Sequence, residues 1–106
     1  MLAKQHRIVS GADFRRVVRT GRRSHTQHAI VHTAAGQSET SRFGFIVSKK
    51  VGGAVVRNRI KRQLSDVARR SLPHETPVDV VIRVLPSARD ASFATLNAGI
   101  GPEVAQ

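Results

Sequence analysis

Apolar residues recur along the chain at the two spacings that mark helices and strands, and their order predicts most of the fold. The first stripe at helical spacing consists of Phe14, Val17 and Val18. In front of it, Ser10 and Asp13 have the spacing of a capping box, and Gly21 supplies a stop. We predict a helix of about three turns here, which is too short to be stable unless it packs against another element.

A second helical pattern covers residues 54–70. Its apolar stripe is only about 80° wide, and it contains Val56, Ile60, Leu64 and Val67. The remaining circumference is basic or polar, and Leu72-Pro73 ends the pattern. A third stripe predicts a last helix and contains Phe93, Leu96 and Ile100. We expect a capping box over residues 87–90 to start this helix and Gly101-Pro102 to close it.

Three segments have the apolar pattern of strands: Ala29–Ala34, Arg42–Ser48 and Val78–Leu85. The first two flank a polar turn and are predicted to form an antiparallel hairpin. Alternation gives the second segment two faces, with Phe43, Phe45 and Val47 on one and Gly44 and Ile46 on the other. The third segment is nearly continuously apolar and β-branched, which predicts a central strand. A short further strand is predicted near Arg22–His25.

Together these elements predict an α+β fold in which helices pack on a small sheet. The segments 42–48, 54–70 and 78–85 form a β-α-β unit, for which the general expectation is a right-handed crossover. A length of 106 residues is typical of one domain, so we expect a single domain over 1–106. We expect residues 1–9 and 103–106 to be irregular.

Charge indicates that this small domain is directed at a polyanion. The chain has 18 Lys and Arg against 7 Asp and Glu, a formal net charge of +11. The excess lies in two blocks, +6 over residues 1–23 and +8 over residues 42–70. Arginine outnumbers lysine 14 to 4, and guanidinium groups bind phosphate with two hydrogen bonds and stack on bases. The pattern therefore favours a nucleic acid partner over a merely solvated surface.

The side chains offer little for catalysis by the protein itself. Cysteine is absent, which excludes disulfides, thiolate metal sites and cysteine nucleophiles. The acids are dispersed rather than paired as a two-metal site requires. His25, His28 and His32 have a spacing that zinc can use, but strand alternation sets His25 on the face opposite the other two. We therefore expect no catalytic residue, no metal site and no small-molecule substrate.

The N-terminal segment and the length of the apolar runs indicate whether the protein is secreted or inserted in a membrane. No apolar run approaches the ~18 residues of a membrane-spanning helix. The basic N-terminus is not followed by the apolar segment of a secretory signal. We therefore expect a cytoplasmic location and no membrane partner.

The strongest local feature is the basic run Arg57–Arg62, in which four of six residues are cationic. Like charges one helical turn apart weaken an isolated helix, so the run favours a partner whose phosphates neutralise it. Lys49 and Lys50 precede the helix in a glycine-containing loop, which lacks the spacing of a P-loop. A helix face that is merely solvated is the weaker interpretation. Asp66 is the one acid of this segment, and it could form an ion pair with Arg62 one turn away but would leave the other cations unpaired.

Residue chemistry alone leaves three interpretations open. The chain fits an RNA-binding subunit of an enzyme, a structural RNA-binding protein of ribosomal type, or a DNA-binding module. A DNA-binding helix is the least favoured, because charge covers most of the helix and a strand and loop precede it. Core packing is the default for every phenylalanine, while Phe14 and one of Phe43 or Phe45 are candidates to stack on unpaired bases.

The residues around the basic helix resemble the signature of the bacterial ribonuclease P protein family. Two stretches carry the resemblance, SKKVG at 48–52 and AVVRNRIKR at 54–62, with Arg57-Asn58-Arg59 at the centre of the second. Weaker matches flank them at Asp13-Phe14, at Gly21–Arg23 and from Asp79 to Leu96. The resemblance extends from about Arg7 to Leu96, nearly the whole chain.

This resemblance implies a ribonucleoprotein in which a large RNA is the catalyst and the protein supplies no catalytic residue. Such an enzyme cleaves precursor tRNA with Mg²⁺, bound mainly through the RNA, and releases the 5′ leader. The expected partners are the ribonuclease P RNA subunit and precursor tRNA. The resemblance also implies the order α-β-β-β-α-β-α, which supports the short strand at 22–25, and a left-handed β-α-β crossover.

The resemblance assigns two sets of binding residues. The set expected to bind the RNA subunit is Lys49, Lys50, Arg57, Asn58, Arg59, Lys61 and Arg62. The set expected to line a cleft for the leader is Phe14, Arg15, Val18, Phe43 and Phe45. The chain departs from the family where many members carry a second aromatic residue, at Val18, and an aromatic at Ala29 or His32. Leader binding is therefore expected to depend on fewer rings and more on arginine.

Overall fold

The structure is a computed structural model that describes residues 2–104. Within that range its helices are α1 (Gly11–Thr20), α2 (Ala54–Ser71) and α3 (Phe93–Val104). Its strands are β1 (Arg22–His25), β2 (Ala29–Ala35), β3 (Arg42–Ile46) and β4 (Val78–Val84). Two 3₁₀ turns, Lys4–His6 and Pro86–Asp90, lie outside these elements. The predicted α+β class and element order are confirmed, and the short strand at 22–25 is present.

The four strands form one sheet in the order β1-β2-β4-β3. β2 is antiparallel to both β1 and β4, and β3 is parallel to β4. The predicted hairpin between β2 and β3 is wrong, because β4 lies between them. An apolar, β-branched strand is most stable with a partner on each edge and cover on each face, so β4 takes the centre. The connection between β2 and β3 passes the start of β4, where Gly36 N donates to Pro77 O at 3.1 Å.

The β3-α2-β4 unit is present as predicted, with its two strands in direct parallel contact. The left hand expected for its crossover stays a prediction.

Alternation along the strands divides the core into two clusters on opposite faces of the sheet. α2 and α3 cover one face, where the large buried side chains include Phe43, Ile60, Leu64, Ile82 and Leu96. α1 covers part of the other face through Val17, which packs with Ile8 and Val81. The exposed residues of this face include Arg23 and His25 of β1 and Arg83 of β4. No helix among the described residues is long and apolar enough to cross a membrane.

The ends of α1 follow the sequence prediction with one difference. Ser10 Oγ accepts a hydrogen bond from Asp13 N at 3.2 Å, and Gly21 follows the last helical residue. The Asp13 carboxylate does not reach back to complete the capping box, because it pairs instead with Arg42 of β3 and Arg16 of α1. The cap residue was therefore predicted correctly, and the role of Asp13 was not.

The ends of α3 differ from the prediction. The segment Pro86–Asp90 forms a 3₁₀ turn rather than a cap, and Ser92 caps the helix by accepting from Thr95 N at 3.1 Å. The helix also continues through Pro102 instead of ending there. Val104 is fully buried against the core, and this contact holds the last turn in place.

The chain ends are also more ordered than predicted. Lys4–His6 is a 3₁₀ turn, and Arg7 forms a parallel bridge with Phe43 at the edge of β3. Ile8 N donates to Phe43 O at 2.9 Å, which extends this contact. Residues 103 and 104 belong to α3, and residues 105–106 lie outside the described residues.

Hydrogen bonds fix the connection from α2 to β4. Ser41 Oγ, just before β3, lies 2.8 Å from His74 Nδ1 and accepts from Val78 N at 3.0 Å. His74 Nε2 lies 3.2 Å from Ser71 Oγ at the end of α2. The start of β4 is thereby set beside the start of β3, which brings Asp79 next to Arg42.

Candidate nucleic-acid interface

An open groove lies on the sheet face that α1 covers in part. Half-buried Phe14, Val18 and Ile46 form its apolar floor, and exposed Arg15 and Arg19 also line it. The groove has a volume of about 360 Å³. An apolar floor beside arginines offers an unpaired base a surface to stack on and offers its phosphate a counter-charge. Three of the predicted cleft residues, Phe14, Arg15 and Val18, are therefore brought together.

Gly44 allows Phe14 to lie this close to the sheet. A Cβ atom at position 44 would stand 2.5 Å from Cε1 and 2.6 Å from Cζ of Phe14, which is far inside van der Waals contact. Only a residue without a side chain leaves room for the ring at this point of β3. The face of β3 that carries Gly44 and Ile46 is thus the face that forms the groove.

Phe43 and Phe45 lie on the opposite face of β3, so the prediction that they line the cleft is wrong. Phe43 is only 1% exposed, and its ring packs edge-on against His74 with 5.9 Å between the ring centres. Phe45 is half-buried against the same core cluster. The sequence separated the two faces of β3 correctly, but it contained no local signal for the face on which α1 packs. Ile46 and Arg19 take the places in the groove that these rings were expected to fill.

A buried ion-pair network holds α1 on the sheet. The Asp79 side chain is fully buried, and it accepts hydrogen bonds from Arg16 of α1 and from Arg42 of β3. Arg42 reaches it through Nε at 3.1 Å and Nη2 at 2.8 Å, and its Nη1 lies 3.3 Å from Asp13 Oδ2. Burial on its own raises the pKa of Asp79, but the hydrogen bonds and charges of the two arginines outweigh burial and hold that pKa below its ordinary value.

The sequence analysis assigned no role to Asp79. The one signal for such a role is an acid inside an apolar strand, since a buried carboxylate needs a cationic partner. Its partners Arg16 and Arg42 stand far away along the chain, so only the fold identifies them.

The outer face of α2 carries the second basic surface. Asn58, Lys61 and Arg62 are exposed, and Arg57 and Arg59 are half-buried. The pair between Arg62 and Asp66, which belonged to the weaker interpretation of a solvated helix face, does not form, because Asp66 binds Arg69 at 2.5 Å and Arg70 at 3.4 Å. Among the described residues no acid pairs with Lys61 or Arg62. Their charge is therefore free to act on a partner.

Arg59 differs from the rest of this set because one of its nitrogens bonds inside the protein. Arg59 Nη2 donates to the backbone oxygen of Arg89 at 2.6 Å and ties α2 to the 3₁₀ turn Pro86–Asp90. This bond brings the exposed Arg89 beside the basic helix. Arg89 thus joins a surface to which sequence reasoning had not assigned it.

Lys49 and Lys50 are exposed in the loop that leads from β3 into α2. Gly53 is the N-cap residue of α2 and provides no side-chain cap. This loop joins β3, which ends at Ile46 of the groove, to α2 with its basic outer face. Lys49 and Lys50 therefore lie between the two surfaces along the chain.

On the same face, the sheet extends from the groove toward β1 in rows that contain both buried and exposed side chains. Strand register places Ile46, Arg83, Ile30 and His25 in one row across the four strands. The next row contains Gly44, Val81, His32 and Arg23. The predicted separation of His25 from His32 is wrong, because His25 lies on β1 and pairing with β2 sets it on the same face as His32.

His28 lies before β2, where its Nδ1 is 2.8 Å from Ser87 Oγ. Within residues 2–104, no group of three or more His, Asp or Glu side chains is arranged to hold a metal ion.

Fold and surfaces together define a small, basic α+β protein in which an arginine-lined apolar groove and a basic helix lie on opposite sides of one sheet. A sequence profile for the family described as Ribonuclease P matches residues 2–102. The ribonuclease P protein component of Clavibacter michiganensis is 47% identical over 100 residues, which cover 92% of this chain and 88% of the relative.

Two further comparisons agree. The ribonuclease P protein component of Pseudarthrobacter chlorophenolicus is 45% identical, over 92% of this chain and 73% of the relative. The solved structure of the Staphylococcus aureus RNase P protein superposes with a TM-score of 0.83 at 28% identity, over 90% of this chain and 88% of that one. The chain therefore belongs to the ribonuclease P protein family, and the resemblance centred on residues 48–62 is confirmed.

Proposed function

We propose that this chain is the non-catalytic subunit of a tRNA-processing ribonuclease P and that it binds two RNAs. In this proposal the outer face of α2 and the loop before it bind the catalytic RNA subunit. The groove beside α1 binds the single-stranded 5′ leader of precursor tRNA. The observation that carries the leader assignment is the groove itself, in which Phe14, Val18 and Ile46 lie beside Arg15 and Arg19.

The chemistry of the groove supports a single-stranded ligand. Bases of unpaired RNA expose both faces, and stacking on apolar or aromatic side chains accepts any sequence. Phe14 is the only aromatic ring among the groove residues, so the two arginines supply most of the remaining contact with base planes and phosphates. We therefore expect binding with little dependence on leader sequence.

The chemistry of α2 supports a structured RNA. A helix face with cations at successive turns matches the phosphates along a duplex or a folded loop, and each neutralised phosphate releases counterions. Lys61 and Arg62 are exposed and unpaired within the described residues, as such contacts require. Arg57 and Asn58 are adjacent on the same basic run.

The sheet separates the two surfaces, since α1 packs on one face and α2 on the other. A leader in the groove and an RNA subunit on α2 therefore do not compete for the same side chains. This arrangement suits a subunit that holds substrate and catalyst together.

The two carboxylates close to the groove do not fit a magnesium site. Asp13 and Asp79, the two acids close to the groove, are both paired with arginines. The proposal therefore assigns Mg²⁺ and the cleavage chemistry to the RNA subunit and assigns binding and orientation to the protein. A cytoplasmic location follows from this proposal as a prediction.

A structural RNA-binding role of ribosomal type is the alternative, and leader discrimination separates the two. With the RNA subunit bound, the chain should raise the affinity for precursor tRNA over mature tRNA. Phe14→Ala should reduce that ratio several-fold, because it removes the ring from the groove floor. Val9→Ala is the control, since Val9 is 81% exposed and does not line the groove. A ratio near one for the natural chain would contradict the proposal.

A further inference from the structure

We propose that the exposed Arg23 and Arg83 form a phosphate site next to the buried His32, and that binding of an RNA phosphodiester there is coupled to protonation of His32. This inference rests on the proposed binding of single-stranded leader, because the site continues the leader groove across the sheet. Beyond the leader groove, the inference gives a role to His32, whose protonation state would change when RNA binds.

Strand register puts these side chains together. Arg23 on β1 stands directly opposite His32 on β2, at a position where Cβ atoms of paired residues are about 5 Å apart. Arg83 on β4 and His25 on β1 occupy the diagonal positions, about 7 Å away and within reach of long side chains. The same row as Arg83 contains Ile46, which forms part of the groove floor.

His32 is buried without a partner for either ring nitrogen. It is 2% exposed, and neither Nδ1 nor Nε2 has a hydrogen-bond partner among the described residues. Buried polar groups in folded proteins are nearly always hydrogen-bonded, so an exception calls for an explanation. The cations around His32 favour the neutral form of this unpaired ring, so a negative charge bound nearby would favour its protonation.

The charged groups that act on His32 come from two elements. β1 contributes Arg23 and His25, and β4 contributes Arg83. Burial first, then Arg23, Arg83 and His25, lower the pKa of His32 below its ordinary value.

Helix α1 carries the other charges on this face. Arg16 and Asp13 are engaged in the network with Asp79, while Arg15 and Arg19 line the groove. No acid therefore acts directly on His32 from the elements that pack on this face.

A bound phosphate reverses this balance. Its negative charge offsets Arg23 and Arg83, which removes the part of the penalty on the positive imidazole that comes from these two charges, so the pKa of His32 rises toward its ordinary value. Binding then takes up a proton at pH values between the free and bound pKa. By linkage, the protonated protein binds RNA more tightly by the same factor, and affinity rises as the pH falls through that window.

The test uses the full chain and a single-stranded oligoribonucleotide of about six nucleotides at constant ionic strength. Between about pH 7.5 and about pH 5.5, the affinity of the natural chain should rise about threefold to tenfold. His32→Phe keeps a ring at this position without a titrating group, and it should lose most of that rise. His28→Gln is the matched control, because His28 lies outside the site beside Ser87 and should leave the rise intact.

Nuclear magnetic resonance of the His32 ring gives a second readout that needs no variant to fold. Its titration midpoint should move upward when the oligoribonucleotide binds. An unchanged midpoint, or the same pH dependence in His32→Phe, would overturn the inference. Loss of the rise in His25→Gln alone would also overturn it, because the proton would then belong to His25.

Failure of this inference is distinguishable from failure of the proposed function. If the chain discriminates precursor from mature tRNA and His32→Phe changes nothing, leader binding stands and the coupled site does not. If no discrimination occurs at any pH, leader binding itself fails.

Discussion

Asp79 lies at the point where α1 meets the sheet, and its two arginine partners come from different elements. Arg16 belongs to α1 and Arg42 to β3, so this one carboxylate ties the wall of the groove to its floor. A buried carboxylate is stable as an anion only with such compensation. The shape of the groove therefore depends on a residue that does not line it.

Asp79→Asn should destabilise the protein by about 3 kcal/mol, because it leaves Arg16 and Arg42 in a partly buried site without their main counter-charge. Urea unfolding at neutral pH measures this. Asp66→Asn is the control, since its ion pairs with Arg69 and Arg70 are exposed and should contribute little. Equal losses in the two variants would contradict the role assigned to Asp79.

The same carboxylate predicts how stability depends on acid. The pKa of Asp79 is lower in the folded protein than in the unfolded chain, so its contribution is present above about pH 4 and is lost as the pH falls through the folded pKa. The stability difference between the natural chain and Asp79→Asn should therefore shrink in strong acid. A difference that stays constant with pH would show that folding does not lower the pKa of Asp79, and a difference that grows in acid would contradict the account in the same way.

Gly44→Ala tests the position of the Phe14 ring in the groove floor, because it adds one atom, Cβ, beside that ring. The added Cβ would stand about 2.5 Å from the Phe14 ring, so the ring must rotate away from β3. We expect a several-fold loss of discrimination between precursor and mature tRNA, with the far-ultraviolet circular dichroism spectrum retained. Gly99→Ala is the matched control, because a Cβ there meets nothing within 4 Å. Full discrimination in Gly44→Ala would show that Phe14 does not form the leader site.

At the scale of elements, α2 divides its surface between the core and an outer basic face. Its narrow apolar stripe is buried against the sheet and α3, and the wide remainder is left for cations. Within that remainder the cations differ, because Arg69 and Arg70 share Asp66 as a partner while Arg62 and Lys61 stay unpaired among the described residues.

Arg62→Ala should weaken binding of the ribonuclease P RNA subunit and reduce the salt dependence of log K by about one for each phosphate that is no longer neutralised. Arg69→Ala removes an arginine from the same helix that already has an acid partner, so we expect a smaller change in slope. A titration of RNA affinity against salt concentration measures both. Equal slopes for the two variants would contradict the placement of the RNA-subunit surface on the Arg62 side of α2.

Local patterns predicted the helices well, because helical hydrogen bonds and apolar stripes are set by residues within a few turns. The stripe of α2 and the Ser10 cap of α1 are examples. The order of strands is not local: β4 entered between β2 and β3 because burial on both faces outweighed the proximity that favoured a hairpin. The capping pattern at 87–90 formed a 3₁₀ turn because Ser92 provided a cap closer to Phe93.

The sequence predicted those parts of the candidate site whose residues lie together on one helix. The basic run of α2 was evident from the sequence, as were Phe14, Arg15 and Val18 on one helix. The residues that come from other elements were not: Ile46 in the groove, Arg89 beside Arg59, and Arg23 opposite His32. Each of these placements depends on strand register or on the face to which a helix packs.

At the scale of the whole molecule, the net charge of +11 is divided between two sides of one sheet. Two neighbouring positive surfaces repel each other, and a protein accepts that cost where polyanions neutralise both. The fold thereby separates the proposed RNA-subunit surface from the proposed leader groove. In the proposed function, the protein provides orientation and affinity and the RNA carries out cleavage.

Cleavage of precursor tRNA by a bacterial ribonuclease P RNA at low Mg²⁺ tests that division of labour most directly. With this chain added, cleavage should increase over the RNA alone, and the increase should require a leader long enough to reach the groove. No gain over the RNA alone would contradict the central proposal.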